Sequence, residues 1–219
     1  MALFELTRAS IGYNGTPVLH EITLQIEAGE RVAFVGPSGA GKSTLLSTLF
    51  AQQRERAALV PQEYALVKNL SVFHNVYMGR LHRHSSAYNL LNLMHPLARE
   101  IEAVRPVVSK LGLEELLGKP VGELSGGQQQ RTAVGRALFQ GGEVLLGDEP
   151  VSSVDPLQSR RVLEAINAAF PTVVLAMHDV GLALDFTDRL IGLKGGRVEF
   201  DRPTQGLRAA DLDAFYHPA

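Results

Sequence analysis

Fifteen residues, Val32 to Leu46 (VAFVGPSGAGKSTLL), limit the folds open to this chain more than any other stretch. Val32, Ala33, Phe34 and Val35 form a β-branched and aromatic run of the kind that makes a buried strand. The run breaks into a glycine-rich turn, and Lys42, Ser43 and Thr44 open an amphipathic helix. A strand, a G-x4-G-K-S loop and a helix in that order make a phosphate cradle, because glycines let backbone N–H groups turn inward toward an anion at the helix N-terminus. Gly36, Pro37, Ser38, Gly39, Ala40, Gly41, Lys42, Ser43 and Thr44 are therefore the candidate phosphate contacts. Lys42 would add a point charge and the Ser43 hydroxyl a ligand for Mg²⁺.

The bulk properties restrict the reading further. A length of 219 residues allows one α/β domain with a small inserted lobe, not two nucleotide-binding units. The formal net charge of −2 gives no electrostatic reason to expect nucleic acid as the main partner. Cysteine is absent, which excludes disulfides, thiolate metal sites and a cysteine nucleophile. Nowhere do about 18 apolar residues run together, so a soluble protein is expected, with any bilayer spanned by another chain.

Strand-length apolar pieces precede the loop (FELTRASIGY, VLHEITLQI, ERVAFVG), with turns at Asn14 to Pro17 and Ala28 to Glu30. They predict a small β-rich lobe feeding the first core strand. A helix from Thr44 to Gln53 and a short strand ending at Gln62 follow, then helical periodicity between Lys68 and Gly122. Beyond it come a helix from Gln128 to Phe139, a strand from Glu143 to Leu146, a helix from Pro156 to Ala169 and a strand from Thr172 to Ala176. Strands alternating with helices imply a mainly parallel sheet.

Two further signals bear on the cradle. The apolar strand VLLGDEP delivers Asp148 and Glu149 at its C-terminal end, where Asp148 would hold Mg²⁺ and Glu149 polarise a water attacking the γ-phosphate; alone, the pair is a solvated acidic turn. The octet LSGGQQQR opens a helix with Ser125, Gly126, Gly127 and Gln128, a second anion site that one chain has no obvious need for. With GPSGAGKST and VLLGDEP, this octet resembles the Walker A, Walker B and signature motifs of the ATP-binding cassette ATPases, the motor subunits of ABC transporters.

The resemblance covers nearly the whole chain, with motifs in the family's order. It implies that Tyr13 stacks on adenine, although singly Tyr13 is as readily an ordinary strand or turn tyrosine. Gln62 in LVPQEY resembles the Q-loop glutamine that senses Mg²⁺ and water, Ser152 to Pro156 the D-loop, and His178 in LAMHDV the switch histidine at the γ-phosphate. The implied fold is an α/β P-loop NTPase of the ABC ATPase type. It has a mainly parallel core sheet, a small antiparallel β lobe and an inserted helical subdomain. Residues 1–219 would form one domain: β lobe and Walker A core (1–67), helical subdomain (68–122), and signature, Walker B, D-loop and switch region (123–219).

The implied cofactors are ATP and Mg²⁺. Two cassettes would form a head-to-tail homodimer in the ATP-bound state, each nucleotide lying between one chain's Walker A and the other's signature. The other implied partners are integral membrane permease subunits and, indirectly, a solute-binding protein. The implied location is peripheral, on the cytoplasmic face of the inner membrane.

A finer resemblance rests on Leu66 to Val76 with Gly79-Arg80-Leu81, on LSGGQQQRTAVGRAL and on the ending LDAFYH, which are similar to the ATPases of bacterial phosphonate importers. The alternatives are import of phosphite or another small solute, an exporter subunit, an accessory role in phosphonate breakdown, or a soluble non-transport cassette.

Several features depart from the family pattern. The stretch from Thr44 to Gln62 is short, so a trimmed β lobe is expected. Gly135 stands where alanine is typical, at a cost of roughly 1 kcal/mol in a helix interior. His82, His84 and His95 have no matching carboxylate or cysteine set and are read as part of a docking face rather than a metal site. Ser85 to Leu97 is expected to be a helix or loop packing on the core lobe.

Overall fold

The computed structural model describes residues 2–13 and 16–216. Asn14 and Gly15 of the first predicted turn, and His217 of the LDAFYH ending, lie outside the described residues. The chain divides into two compact units: a strand unit (residues 1–59, 143–149 and 170–219) and a helical unit (residues 60–142 and 150–169).

The strand unit holds two sheets. Strands β1 (Ala2–Tyr13) and β2 (Thr16–Glu27) pair antiparallel as the small β lobe. Among the described residues the lobe has only these two strands; the chain goes directly from helix α1 (Lys42–Gln52) to β4 (Ala57–Val60), which joins the main sheet, as the short Thr44 to Gln62 stretch predicts. The main sheet has six strands in the order β4-β5-β6-β3-β7-β8. Here β3 is Arg31–Val35, β5 Val144–Asp148, β6 Thr172–Ala176, β7 Arg189–Lys194 and β8 Arg197–Pro203. β3 runs parallel to β6 and β7, β5 runs parallel to β6, and only β8 among these is antiparallel to its neighbour.

The central strands are buried on both faces, which explains why VAFV, VLL and TVVLA read as continuous apolar runs instead of alternating. Phe4, Leu19, Ile26, Phe34, Leu45, Leu49, Leu146 and Val174 share one core. Burial at about 25 cal/mol per Å² of apolar surface makes this the main stabilising term of the unit.

The helical unit is built on α5 (Gly126–Gln140), with α2 (Val72–Tyr77), α4 (Ala98–Lys110) and α6 (Pro156–Ala169) packed against it or one another. α5 begins two residues before the predicted start because Ser125 caps it, and the two glycines form its first turn. Gly135 sits where α2 and α4 approach: a Cβ there would lie 3.2 Å from both Leu111 Cδ1 and Val76 Cγ2. Its propensity cost is offset by a closer helix contact than alanine allows.

Buried Asn75 explains the NLSVFHNV run. Its side chain accepts from the Val67 N–H at 2.8 Å and donates to the carbonyls of Val67, Leu70 and Ser71, tying the turn before α2 to the helix. Between α2 and α4 lies α3 (Ser86–Met94), capped by Ser85. This helix is turned inside out. Tyr77 donates to Asn89 Oδ1 at 2.8 Å, Tyr88 donates to Glu100 Oε1 at 2.7 Å, and Asn92 accepts from the Leu97 N–H at 2.9 Å. Leu90, Leu91, Leu93 and Met94 face outward, Met94 being 70% exposed. The contacts that hold α3 come from its own unit.

His84 is enclosed in an aromatic ladder, stacked 6.2 Å from the Tyr77 ring and 4.6 Å from the Tyr88 ring. Its role is packing. Among the described residues no group of three or more His, Cys, Asp and Glu is arranged to hold a metal ion, and no helix is long and apolar enough to cross a membrane.

Candidate active site

Three parallel strands end at one edge of the main sheet, and each delivers chemistry. β3 runs into the Gly36 loop, β5 ends at Asp148 and Glu149, and β6 leads to His178. The register aligns them, since Ala176 is opposite both Phe34 and Asp148. In open α/β sheets the crevice beyond the carboxyl ends of the strands is where ligands bind.

The loop needs glycine at specific points. Gly36 has φ 148° and passes so close to the Leu193 carbonyl that a Cβ would collide with backbone. Gly41, at φ 97°, is the N-cap of α1, and a Cβ there would meet Leu19. No side chain caps α1 and no acid stands in its first turn, which keeps its N–H groups available to an anion. Lys42 is only 6% exposed; its ammonium donates to the carbonyls of Gly36 at 2.7 Å and Pro37 at 3.1 Å, so it also closes the loop. Burial pulls the Lys42 pKa down, while the charges of Glu149 and Asp148 oppose the shift.

Asp148 extends β5 two residues past the predicted Leu146 end. Its carboxyl lies above the usual aspartate range because of burial, with the Glu149 charge adding to the effect and a hydrogen bond from Ser43 opposing it. Its Oδ1 is buried and without a hydrogen-bond partner. A hydroxyl and a carboxylate with an unsatisfied buried oxygen are hard oxygen donors, and they fit Mg²⁺.

Glu149 has φ 53°, a left-handed conformation rare for a non-glycine residue, and its N–H donates to the Ala176 carbonyl at 3.0 Å. The backbone turn aims its carboxylate at His178, whose Nε2 lies 2.7 Å from Glu149 Oε1. Lys42, Ser43, Asp148, Glu149 and His178 thus stand together in the strand unit. Tyr13 ends β1 in the same unit, and its side chain lies outside the described residues.

The other candidates belong to the helical unit. Gln62 is exposed in the turn after β4, which ends at Val60. Ser125 and Gln128 form a reciprocal capping box: Ser125 N–H donates to Gln128 Oε1 at 2.9 Å, and Gln128 N–H to Ser125 Oγ at 3.3 Å. Gly127 passes under the Ser153 carbonyl, where a Cβ would clash. Tyr64, Gln130 and Arg136, which sequence reasoning missed, hold the loops around these residues. Their signal was available only as neighbours of recognised motifs.

A strand–loop–helix phosphate cradle facing a carboxylate pair and a histidine defines a P-loop nucleotide-binding protein. Comparison with known proteins narrows the class. Residues 19–152 match the ABC transporter family, and the chain belongs to it. The chain is 38% identical to the phosphonates import ATP-binding protein PhnC of Pseudomonas entomophila (strain L48), over 96% of this chain and 90% of that protein. Its similarity to PhnC of Maricaulis maris (strain MCS10) is 33% identity over 94% of this chain and 90% of the relative. Among solved structures, an ATP-binding cassette in a dimeric post-hydrolysis state with ADP and Pi superposes with a TM-score of 0.75 at 25% identity, over 93% of this chain and 99% of that one. The chain is an ABC ATPase of the P-loop fold.

Proposed function

We propose that this protein is the ATP-hydrolysing subunit of a phosphonate importer, working as a head-to-tail dimer beneath a separate membrane permease. The observation that carries the ATPase part is the Glu149–His178 pair, set beside the Lys42 loop by two adjacent parallel strands. The phosphonate part is supported by relatives at 38% and 33% identity that carry that name along most of their length.

In this reading the N–H groups of the 36–44 loop and the Lys42 ammonium bind the β- and γ-phosphates of ATP, and Tyr13 stacks on the adenine. Ser43, Asp148 and Gln62 would hold Mg²⁺, which would supply charge neutralisation at the phosphates. Glu149 accepts the proton of the attacking water. His178 orients that carboxylate and contacts the γ-phosphate. Ser125, Gly126, Gly127 and Gln128 complete the site of the second copy, which accounts for two anion-binding helix starts in one chain. The outward leucines of α3 support the helical unit as the permease-facing surface, with the chain peripheral at the cytoplasmic face and a solute-binding protein acting upstream.

The experiment is labelled-phosphonate uptake by cells whose only copy is wild type or Glu149→Gln, with phosphate uptake as control. Selective loss in the variant is the expected result. Unchanged phosphonate uptake would overturn the solute and redirect the search to phosphite or another small solute. In vitro, Ser125→Ala should slow hydrolysis by the dimer while monomeric ATP affinity stays constant; an equal fall in monomeric affinity would refute the cross-subunit role.

A further inference from the structure

Within the helical unit, two loops, one carrying Gln62 and one following Glu149 in sequence, are pinned to each other and to α5. Gln62 is followed two residues later by Tyr64, and Glu149 is followed four residues later by Ser153. The Tyr64 hydroxyl lies 3.0 Å from Ser153 Oγ. Tyr64 and Ala65 both have left-handed backbones, at φ 58° and 47°. Arg136 braces that turn by donating to the Tyr64 carbonyl at 2.7 Å and the Ala65 carbonyl at 2.6 Å. Gln130, six residues earlier on α5, braces the other loop: it accepts from the Ser153 N–H at 2.8 Å and donates to Ser152 Oγ at 3.2 Å.

Each contact taken alone is ordinary loop packing. Together they have a directed pattern, because two side chains of one helix fix two loop backbones and a hydroxyl pair joins the loops. A planar guanidinium bridging two consecutive carbonyls is a geometry lysine cannot reproduce. Two left-handed non-glycine residues in succession persist only where the surroundings over-determine them.

We propose that the Tyr64–Ser153 hydroxyl pair, braced by Arg136 and Gln130, is a positioning bolt that couples the Gln62 loop to the loop following Glu149. Tyr64 is a positioning residue and touches no phosphate. Movement of the Gln62 loop is passed to the Ser152–Ser153 segment through this bolt, so its loss uncouples the two loops without emptying the nucleotide site. The inference rests on the ATPase reading above.

The test is steady-state ATP hydrolysis by the intact chain carrying Tyr64→Phe, Ser153→Ala or both, each also placed in a Gln62→Ala background. Phenylalanine keeps the ring and serine-to-alanine is small, so folding is retained and is checked by thermal melting. Loss of one hydrogen bond at this position should lower kcat about 3–10-fold. The KM for ATP should stay unchanged, and the double variant should be no slower than either single one. Neither substitution should slow the Gln62→Ala enzyme further. An unchanged kcat in Tyr64→Phe, losses that multiply in the double variant, or a further drop in the Gln62→Ala background would overturn the bolt. Absence of hydrolysis by the wild-type chain would instead overturn the ATPase reading on which it rests.

Discussion

In the strand unit, apolar side chains fill the interior and the charged groups stand at strand ends, whereas α3 of the helical unit points its tyrosine and asparagines inward and its leucines toward water. Both arrangements place the scarce chemistry where it is used. Lys42, Asp148 and Glu149 are concentrated at one sheet edge, a geometry suited to a small, highly charged ligand that must be desolvated and oriented. Leu90, Leu91, Leu93 and Met94 are spread along an outer face, a geometry suited to a macromolecule. Polarity inside a helix and polarity at a strand end therefore serve different ends: the first holds an element in place, and the second, in the proposed function, reacts.

That contrast is broken most sharply by Glu149→Gln. The substitution keeps the shape and the left-handed turn but removes the base, and hydrolysis should fall by at least about 100-fold while ATP binding survives. Turnover near the wild-type level would remove Glu149 from the reaction. Lys42→Ala comes next and should weaken ATP binding about 10–100-fold, because a desolvated charge at the phosphates is lost along with the two carbonyl contacts that close the loop. Equilibrium nucleotide titration reads it, and normal affinity would mean that the loop binds through backbone alone.

The helical unit should instead respond in stability. Asn75→Ala deletes the four hydrogen bonds of a buried side chain and leaves the Val67 N–H unmet, while the three carbonyls keep their backbone partners, a loss of about 2–3 kcal/mol in urea unfolding. Asp148→Asn sharpens the contrast from the other side. The raised pKa of Asp148 means the folded state binds its proton more tightly than the unfolded chain does. Its contribution to stability is therefore largest below the ordinary aspartate pKa and declines as pH rises through the window up to the raised folded value. The asparagine variant should lose that decline and, without nucleotide or Mg²⁺ at neutral pH, melt on the order of 2 °C higher, while hydrolysing poorly. A lower melting temperature would show that Asp148 is stabilised by its neighbours. Leu90→Gln with Met94→Gln should leave stability within about 0.5 kcal/mol, since neither side chain is buried. A larger loss would mean that α3 packs inward.

The contrast also explains what the sequence could reveal. The strand–loop–helix from Val32 to Leu46 was legible because buried parallel strands, glycine turns and helix starts all have local signatures. α6 and β6 were placed at their observed bounds for the same reason. Asp148 was left beyond its strand because a carboxylate reads as a turn residue, and only its pairing with Ala176 extends β5. The left-handed Glu149, the inverted α3 and the Tyr64–Ser153 contact depend on tertiary neighbours that no local pattern encodes. Gly135 was legible as a cost but not as a contact, because the crowding comes from Val76 and Leu111, which are distant in sequence.

The outward face of α3 governs how the isolated chain behaves in a tube. A helix that shows water its leucines gives two copies a place to adhere while every strand is still folded. Ammonium sulfate, which strengthens apolar association, should precipitate the chain earlier than its charge and core would suggest, and glutamines at Leu90 and Met94 should delay that point. Solubility on the bench is thus sensitive to four outward side chains that contribute little to the fold.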